Sequence, residues 1–122
     1  MTDQPKFLAV FLGSPDSPAM ARWNALAEDE RNRRQQAGMA AWHAWVERHQ
    51  ASIVVMGGPL GSTLRVSTAG VTPTHNALSA FTIVAADTQE TAAALFEDHP
   101  HFAIFPGDAV EVMPIRPVPG AG

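Results

Sequence analysis

Histidine and carboxylate side chains carry the chemical potential of this chain, which has five histidines, twelve Asp and Glu residues and no cysteine. His43 stands between Trp42 and Trp45 in a segment with helical periodicity. A histidine half-buried beside aromatic rings can act as a general base near neutral pH. The plainer reading places it on the flank of a packing stripe. Its neighbour Trp42 is expected to line the ligand pocket. The densest polar cluster is Glu97-Asp98-His99-Pro100-His101. Here His99 can pair with Asp98 or Asp87 for acid–base work, and His101 can contact a ligand. Imidazole and carboxylate also suit a divalent metal, but no third ligand has diagnostic spacing and there is no His-Glu-x-x-His. The alternative for this cluster is a helix C-terminus whose histidine meets the negative end of the helix dipole. Arg65 is the one cation of an expected hairpin, able to grip a carboxylate or phenolate bidentately or to guard an edge strand. His75 sits in the polar loop that follows. The expected catalytic residues are therefore His43, His99 and Asp98. The expected ligand-binding residues are Trp42, Arg65, His75 and His101. Neither a metal nor an organic cofactor is expected.

These side chains need elements to position them. Phe7-Leu-Ala-Val-Phe-Leu12 is apolar on both faces and reads as a doubly covered strand. Gly13–Pro18 turns the chain, with Ser17 as N-cap and Pro18 as the first helical residue. From Pro18 to about Gln50 the pattern is helical. One stripe is Trp23, Leu26 and Ala27, and a second is Met39, Trp42, Trp45, Val46 and His49. Between them Glu28–Gln36 has no apolar residue, and its charges should pair within the helix. One long helix or two consecutive ones are expected, with Gly38 the candidate break or bend. Ser52–Met56 is the second strand, running into the turn Gly57-Gly-Pro-Leu-Gly61. That turn lacks the Lys-Ser/Thr of a phosphate loop. Ser62 to Val66 is expected to pair back as a short strand, and Ala69 to Asn76 to form a polar loop. Leu78 to Ala86 is the next strand. Asp87-Thr-Gln-Glu90 matches a capping box, and its helix is expected to run to about Asp98, where Pro100 stops it. Asp108–Ile115 is the last strand, with Glu111 at an edge and Pro114 at a strand end.

The order β-α-β-β-α-β predicts a ferredoxin-like α+β fold: a four-stranded antiparallel sheet with helices on one face. One domain is expected over residues 1–116, with a Pro/Gly tail at 117–122. The start of the chain is polar and shows no secretory pattern, which suggests a cytoplasmic protein. Composition narrows the function classes. Of 122 residues, 46% are hydrophobic and only 16% charged, against roughly 25% charged in an average domain. Disorder is excluded by this hydrophobicity, and generic nucleic-acid binding by a net charge of −4. Two helices cover only one sheet face, yet the first two strands are apolar on both. A second copy packed sheet to sheet is the economical cover, so a homodimer is expected, with no nucleic-acid or membrane partner.

The strand followed by Gly57-Gly-Pro-Leu-Gly61, the segment Leu78-Ser-Ala-Phe-Thr-Ile-Val-Ala-Ala-Asp87, the helix end Phe96-Glu-Asp-His-Pro-His-Phe102 and the closing Gly107–Ile115 together resemble the YCII-related (YciI-like, DGPF-type) family of small bacterial proteins. The resemblance spans roughly residues 6–116. It implies a dimeric α+β barrel, a fold shared by cofactor-independent oxygenases, muconolactone isomerases and a dehydrochlorinase of a chlorinated hydroxyquinol. It also implies a helix-borne histidine with an acidic partner, and His43 lies roughly where the family carries that histidine. Where DGPF members have Asp-Gly-Pro-Phe, this chain has Val71-Thr-Pro-Thr-His-Asn76. Two functions follow as expectations. One is a cofactor-independent enzyme, isomerase- or lyase-like, acting on a hydroxylated or carboxylated small molecule. The other is a non-catalytic ligand-binding or regulatory homodimer. One fold hosts many functions, so the site must choose.

Overall fold

The alternation of β1 (Lys6–Leu12) sets the two sides of the molecule: Phe7, Ala9 and Phe11 are buried, while Leu8, Val10 and Leu12 face the other way. A computed structural model describes residues 4–120. The first three residues and residues 121 and 122 lie outside the described residues, as does the end of the expected tail. After β1 come α1 (Pro18–Asn24), α2 (Glu28–Arg48), β2 (Ile53–Pro59), β3 (Thr63–Ser67), β4 (Gly70–Thr74), β5 (Leu78–Ala85), α3 (Gln89–Ala94), α4 (Pro100–Ala103) and β6 (Ala109–Pro114). The main sheet has the order β2-β5-β1-β6, antiparallel throughout. This is the ferredoxin-like α+β arrangement.

The core lies between the sheet and the helices. Phe7, Ala9, Phe11, Val84 and Ala86 from the strands meet Trp45, Ala92 and Phe96 from the helical layer. Trp45 is almost fully buried and donates its indole N–H to the Leu95 carbonyl at 2.7 Å. That bond fixes α2 against the end of α3. On the other sheet face Leu8 pairs with Ile83 and Met113, and Val10 with Phe81 and Glu111. None of the described helices covers that face.

Several local expectations are corrected. The long helical segment breaks at Ala25–Ala27, not at Gly38. Ala27 is extended, and Arg31 reaches back to donate to the carbonyls of Asn24 and Leu26. Arg31 thus closes the end of α1, while Arg33 and Arg34 both pair with Glu30. Three acidic residues in the first turn of α2 suit the positive end of its dipole. The N-cap of α3 is Thr88, whose hydroxyl accepts from the Thr91 N–H; Asp87 instead accepts from Gln4. Pro100 opens α4 as its first residue. The expected loop from Ala69 to Asn76 contains β4, which pairs with β3 in a separate two-stranded sheet.

Gly38 sits inside α2 because the ring of Phe105 occupies the space of a side chain: a Cβ there would lie 2.5 Å from Phe105 Cε2. An exposed helical Gly→Ala change gains roughly 0.5–1 kcal/mol. Gly38→Ala is expected to lose about 1 kcal/mol instead, since overpacking costs roughly 1–3 kcal/mol. A urea titration reads the sign.

Candidate active site

A cleft opens between α2 and the β2 side of the sheet. Met39, Trp42, His43, Val46 and Glu47 repeat at helical spacing and form one wall. The opposite wall is Met56, Gly57, Gly58 and Pro59, where β2 departs from regular pairing with β5. Gly57 has φ +69° and lies against the Phe81 carbonyl, so a side chain at this position is doubly excluded. Phe11, Ala80 and Thr82 contribute from the sheet, and His101 and Phe105 from the α4 segment. The cleft measures about 770 Å³, within the range of small-molecule sites.

Its polar groups are few. Ser79 donates to the Phe11 carbonyl at 2.8 Å and Thr82 to the Met56 carbonyl at 2.9 Å. Both hydroxyl protons are therefore spent on backbone. The titratable groups of the lining are His43, Glu47 and His101. Among the described residues no lysine or arginine lines the cleft.

Pro100 sends its two flanking histidines into different surroundings. His99 is the N-cap of α4: its Nδ1 accepts the His101 backbone N–H at 3.0 Å. Its ring is fully buried, with centroids 5.0 Å from Phe11, 4.5 Å from Trp42 and 4.7 Å from Trp45. Since Nδ1 accepts, Nε2 carries the proton in the neutral ring, and that atom has no partner. Burial holds the His99 pKa down at about 4, helped by neighbouring His101 and His49. His49 is lowered too, by partial burial and then by Arg48.

His101 is held differently. Its Nε2 lies 2.7 Å from the Leu12 carbonyl oxygen. A carbonyl only accepts, so Nε2 carries a proton and Nδ1 keeps the lone pair of the neutral ring. The Nε2 edge rests on Gly107, where any Cβ would strike the ring. Among the described residues His99 Nε2 is the one buried side-chain polar atom lacking a partner. His101 is buried, 9% exposed, and it lines the cleft. This is a base held in one tautomer by a backbone acceptor.

The expected site residues are thus divided. Trp42, His43 and His101 come together at the cleft, with Trp42 stacked on Phe11 at 5.3 Å and His43 on the exposed rim. His99 does not line it. Asp98 is exposed, with φ +56°, and makes no hydrogen bond to His99. The His99–Asp98 pair is therefore not formed, because the left-handed Asp98 turns the chain as His99 enters the core. Asp87 is likewise engaged elsewhere, with Gln4. Arg65 lies on β3 and His75 just beyond β4, both exposed and outside the cleft lining. Glu47 was not anticipated. Its signal was its position one helical turn after His43. No group of three or more His, Asp or Glu side chains suited to a metal ion occurs among the described residues. None of the described helices is long and apolar enough to cross a membrane.

No family model and no curated protein sequence matches the chain. Among solved structures, 5-chloro-2-hydroxyhydroquinone dehydrochlorinase from Burkholderia phenoliruptrix AC1100, in complex with 2,5-dihydroxybenzoquinone, is similar over 91% of this chain and 93% of its own. The TM-score is 0.51 and the identity 23%, a likeness of fold. Sheet order, helical layer and this similarity together show a ferredoxin-like α+β fold shared with that dehydrochlorinase.

Proposed function

We propose that this chain is a YCII-related, cofactor-independent enzyme performing acid–base chemistry, isomerase- or lyase-like, on a neutral hydroxylated planar ring. The observation that carries the reading is His101. Its Nε2–H is tied to Leu12 and its free Nδ1 belongs to a ring on an aromatic cleft. His101 takes the part of general base toward a substrate hydroxyl, and Glu47 and His43 on the rim are placed to return a proton. Phe11, Trp42 and Phe105 supply flat apolar area for a ring. With no cation in the lining and Arg65 on the hairpin, a hydroxylated substrate suits the cleft better than a carboxylate. The solved neighbour, whose ligand is a dihydroxybenzoquinone, adds support at the level of fold. The order of motifs over residues 6–116 supports the family.

We also propose that the working form is a homodimer, sheet against sheet. The outer-face residues Leu8, Val10, Phe81 and Ile83, half-buried, and exposed Met113 support it, as an apolar sheet face that none of the described helices covers.

Titration with hydroquinone, a phenol that is neutral at pH 7, followed by tryptophan fluorescence, tests the substrate class. Saturable quenching is expected with a Kd between about 1 µM and 1 mM, and benzoate is expected to bind at least tenfold more weakly. Equal binding of benzoate, or no saturation, rejects the substrate class. Absorbance assays with hydroxylated benzenes then separate turnover from mere binding.

A further inference from the structure

The β3–β4 hairpin has a two-sided pattern that the cleft does not use. Its register pairs Leu64 with Pro73 and Val66 with Val71, while Thr63 pairs with Thr74 and Arg65 with Thr72. Directly paired residues share a face of a two-stranded ribbon. One face is therefore Leu64, Val66, Val71 and Pro73, wholly apolar, and the other is Thr63, Arg65, Thr72 and Thr74. The apolar face is bare: Leu64 is 66% exposed, Val66 76% and Val71 61%. An isolated two-stranded ribbon is at best marginally stable in water. This one forms a sheet of its own, separate from the main sheet.

The chain exposes 8427 Å², whereas a compact folded monomer of this mass exposes roughly 6,300 Å². The projecting hairpin contributes to the difference, which leaves room for the ~800 Å² per partner of a standard interface. The C-terminal segment, with Ile115 and Val118 exposed, holds part of the difference. The outer sheet face, β2 and the hairpin hold more, through Val54, Val55, Met56, Leu60, Leu64, Val66, Val71 and Met113. The two sheet edges differ as well. β6 carries the charged Glu111, which discourages pairing, whereas Ile53–Pro59 has no charged residue; a proline ends both strands.

We propose that the β3–β4 hairpin is an intersubunit arm. Its apolar face is covered by a second copy of this chain, at the partner's uncharged β2 margin. The occupant is a second copy because the same chain presents both an apolar ribbon face and an apolar margin without charge, as a two-fold interface requires. Pro73 removes a backbone donor from β4, so the arm packs by its face. β2 also forms one wall of the cleft, so the arm borders the partner's ligand entrance. This extends the sheet-to-sheet dimer proposed above, and its test separates the two.

The experiment compares wild type, the hairpin variant Val66→Lys/Val71→Lys and the outer-face variant Ile83→Lys by analytical ultracentrifugation. Amide exchange of residues 63–74 is followed at high and low protein concentration. Val66 and Val71 are exposed, so circular dichroism should show the lysine pair folded. The expected wild-type mass is twice 13.0 kDa. The hairpin variant should raise the dimer Kd at least about tenfold, and wild-type exchange over 63–74 should slow as concentration rises. A wild-type monomer at tens of micromolar overturns both arm and dimer. A dimer weakened by Ile83→Lys but unchanged by the lysine pair, with exchange over 63–74 independent of concentration, overturns the arm and leaves the sheet-to-sheet dimer standing.

Discussion

Replacing His99 by phenylalanine is expected to remove much of the acid sensitivity of this fold between pH 6.5 and 4. In the folded chain burial lowers the His99 pKa from 6.5 to about 4, whereas the unfolded chain titrates at the ordinary value. The unfolded state thus binds the extra proton first as pH falls. The stabilising contribution is complete above about pH 6.5, declines as pH falls toward 4, and levels off below that. At about 1.36 kcal/mol per unit the loss is roughly 3 kcal/mol. His99 is fully inaccessible, so solvent screening takes little from this figure. Protonation also strikes the cap: a proton on Nδ1 abolishes the acceptor for the His101 N–H.

Phenylalanine keeps the contacts with Phe11, Trp42 and Trp45 and eliminates the orphan Nε2–H. It leaves the His101 N–H unpaired, at a cost of roughly 1–3 kcal/mol that the lost orphan partly offsets. The variant should therefore lie within about 2 kcal/mol of wild type at pH 7. It should lose roughly 3 kcal/mol less than wild type between pH 7 and pH 4. Urea midpoints at the two pH values measure the difference. Parallel losses in both proteins place the acid sensitivity elsewhere, with His49, which is lowered in the same direction, the next group to replace.

His101→Gln is the second large effect. A glutamine amide can still donate to the Leu12 carbonyl, but it offers no basic nitrogen to the cleft. If His101 is the general base, turnover should fall by about 10²–10⁴-fold, while the dissociation constant for hydroquinone stays within about threefold. Gly107→Ala approaches the same atom from behind. Its methyl group collides with the Nε2 edge of His101, and Gly107 does not have a positive φ, so the backbone tolerates alanine. It should reduce turnover while leaving the base in the chain. An active His101→Gln enzyme, with turnover within threefold of wild type, would transfer the role of base to His43 or Glu47.

How far the sequence reached depends on the range of the interactions. The four strands of the main sheet read correctly because apolar runs, alternation and turn residues are local signals. Phe81, Ile83 and Ala85 on one face, with Thr82 and Val84 on the other, follow from the two-residue period alone. The helix break was misplaced because its cause is not local. Glycine is a poor helix former, yet Gly38 stays in α2 because Phe105, far along the chain, fills the space above it. The β4 strand was missed because Gly70-Val-Thr-Pro-Thr74 contains a proline. Proline is acceptable at an edge, and both strands of an isolated hairpin are edges.

The candidate site was legible in kind but not in assignment. His43 with Trp42 on an amphipathic helix, and the pair His99 and His101, could be selected by residue type. Which imidazole serves as structure and which faces the cleft could not be selected that way.

By itself the sequence determined the element order, the ferredoxin-like class and a family resemblance, because these rest on local patterning and on motif order. It also determined that the chain has too few charges for its apolar content. Only the tertiary structure decided that His99 is a buried cap and His101 the cleft histidine. It alone showed that Asp98 faces water and that Arg65 belongs to the hairpin. Pro100 fixes the separation of the two histidines along the chain, but the direction of each ring depends on distant atoms. Leu12 supplies the carbonyl that orients His101, and Phe11, Trp42 and Trp45 supply the walls that enclose His99.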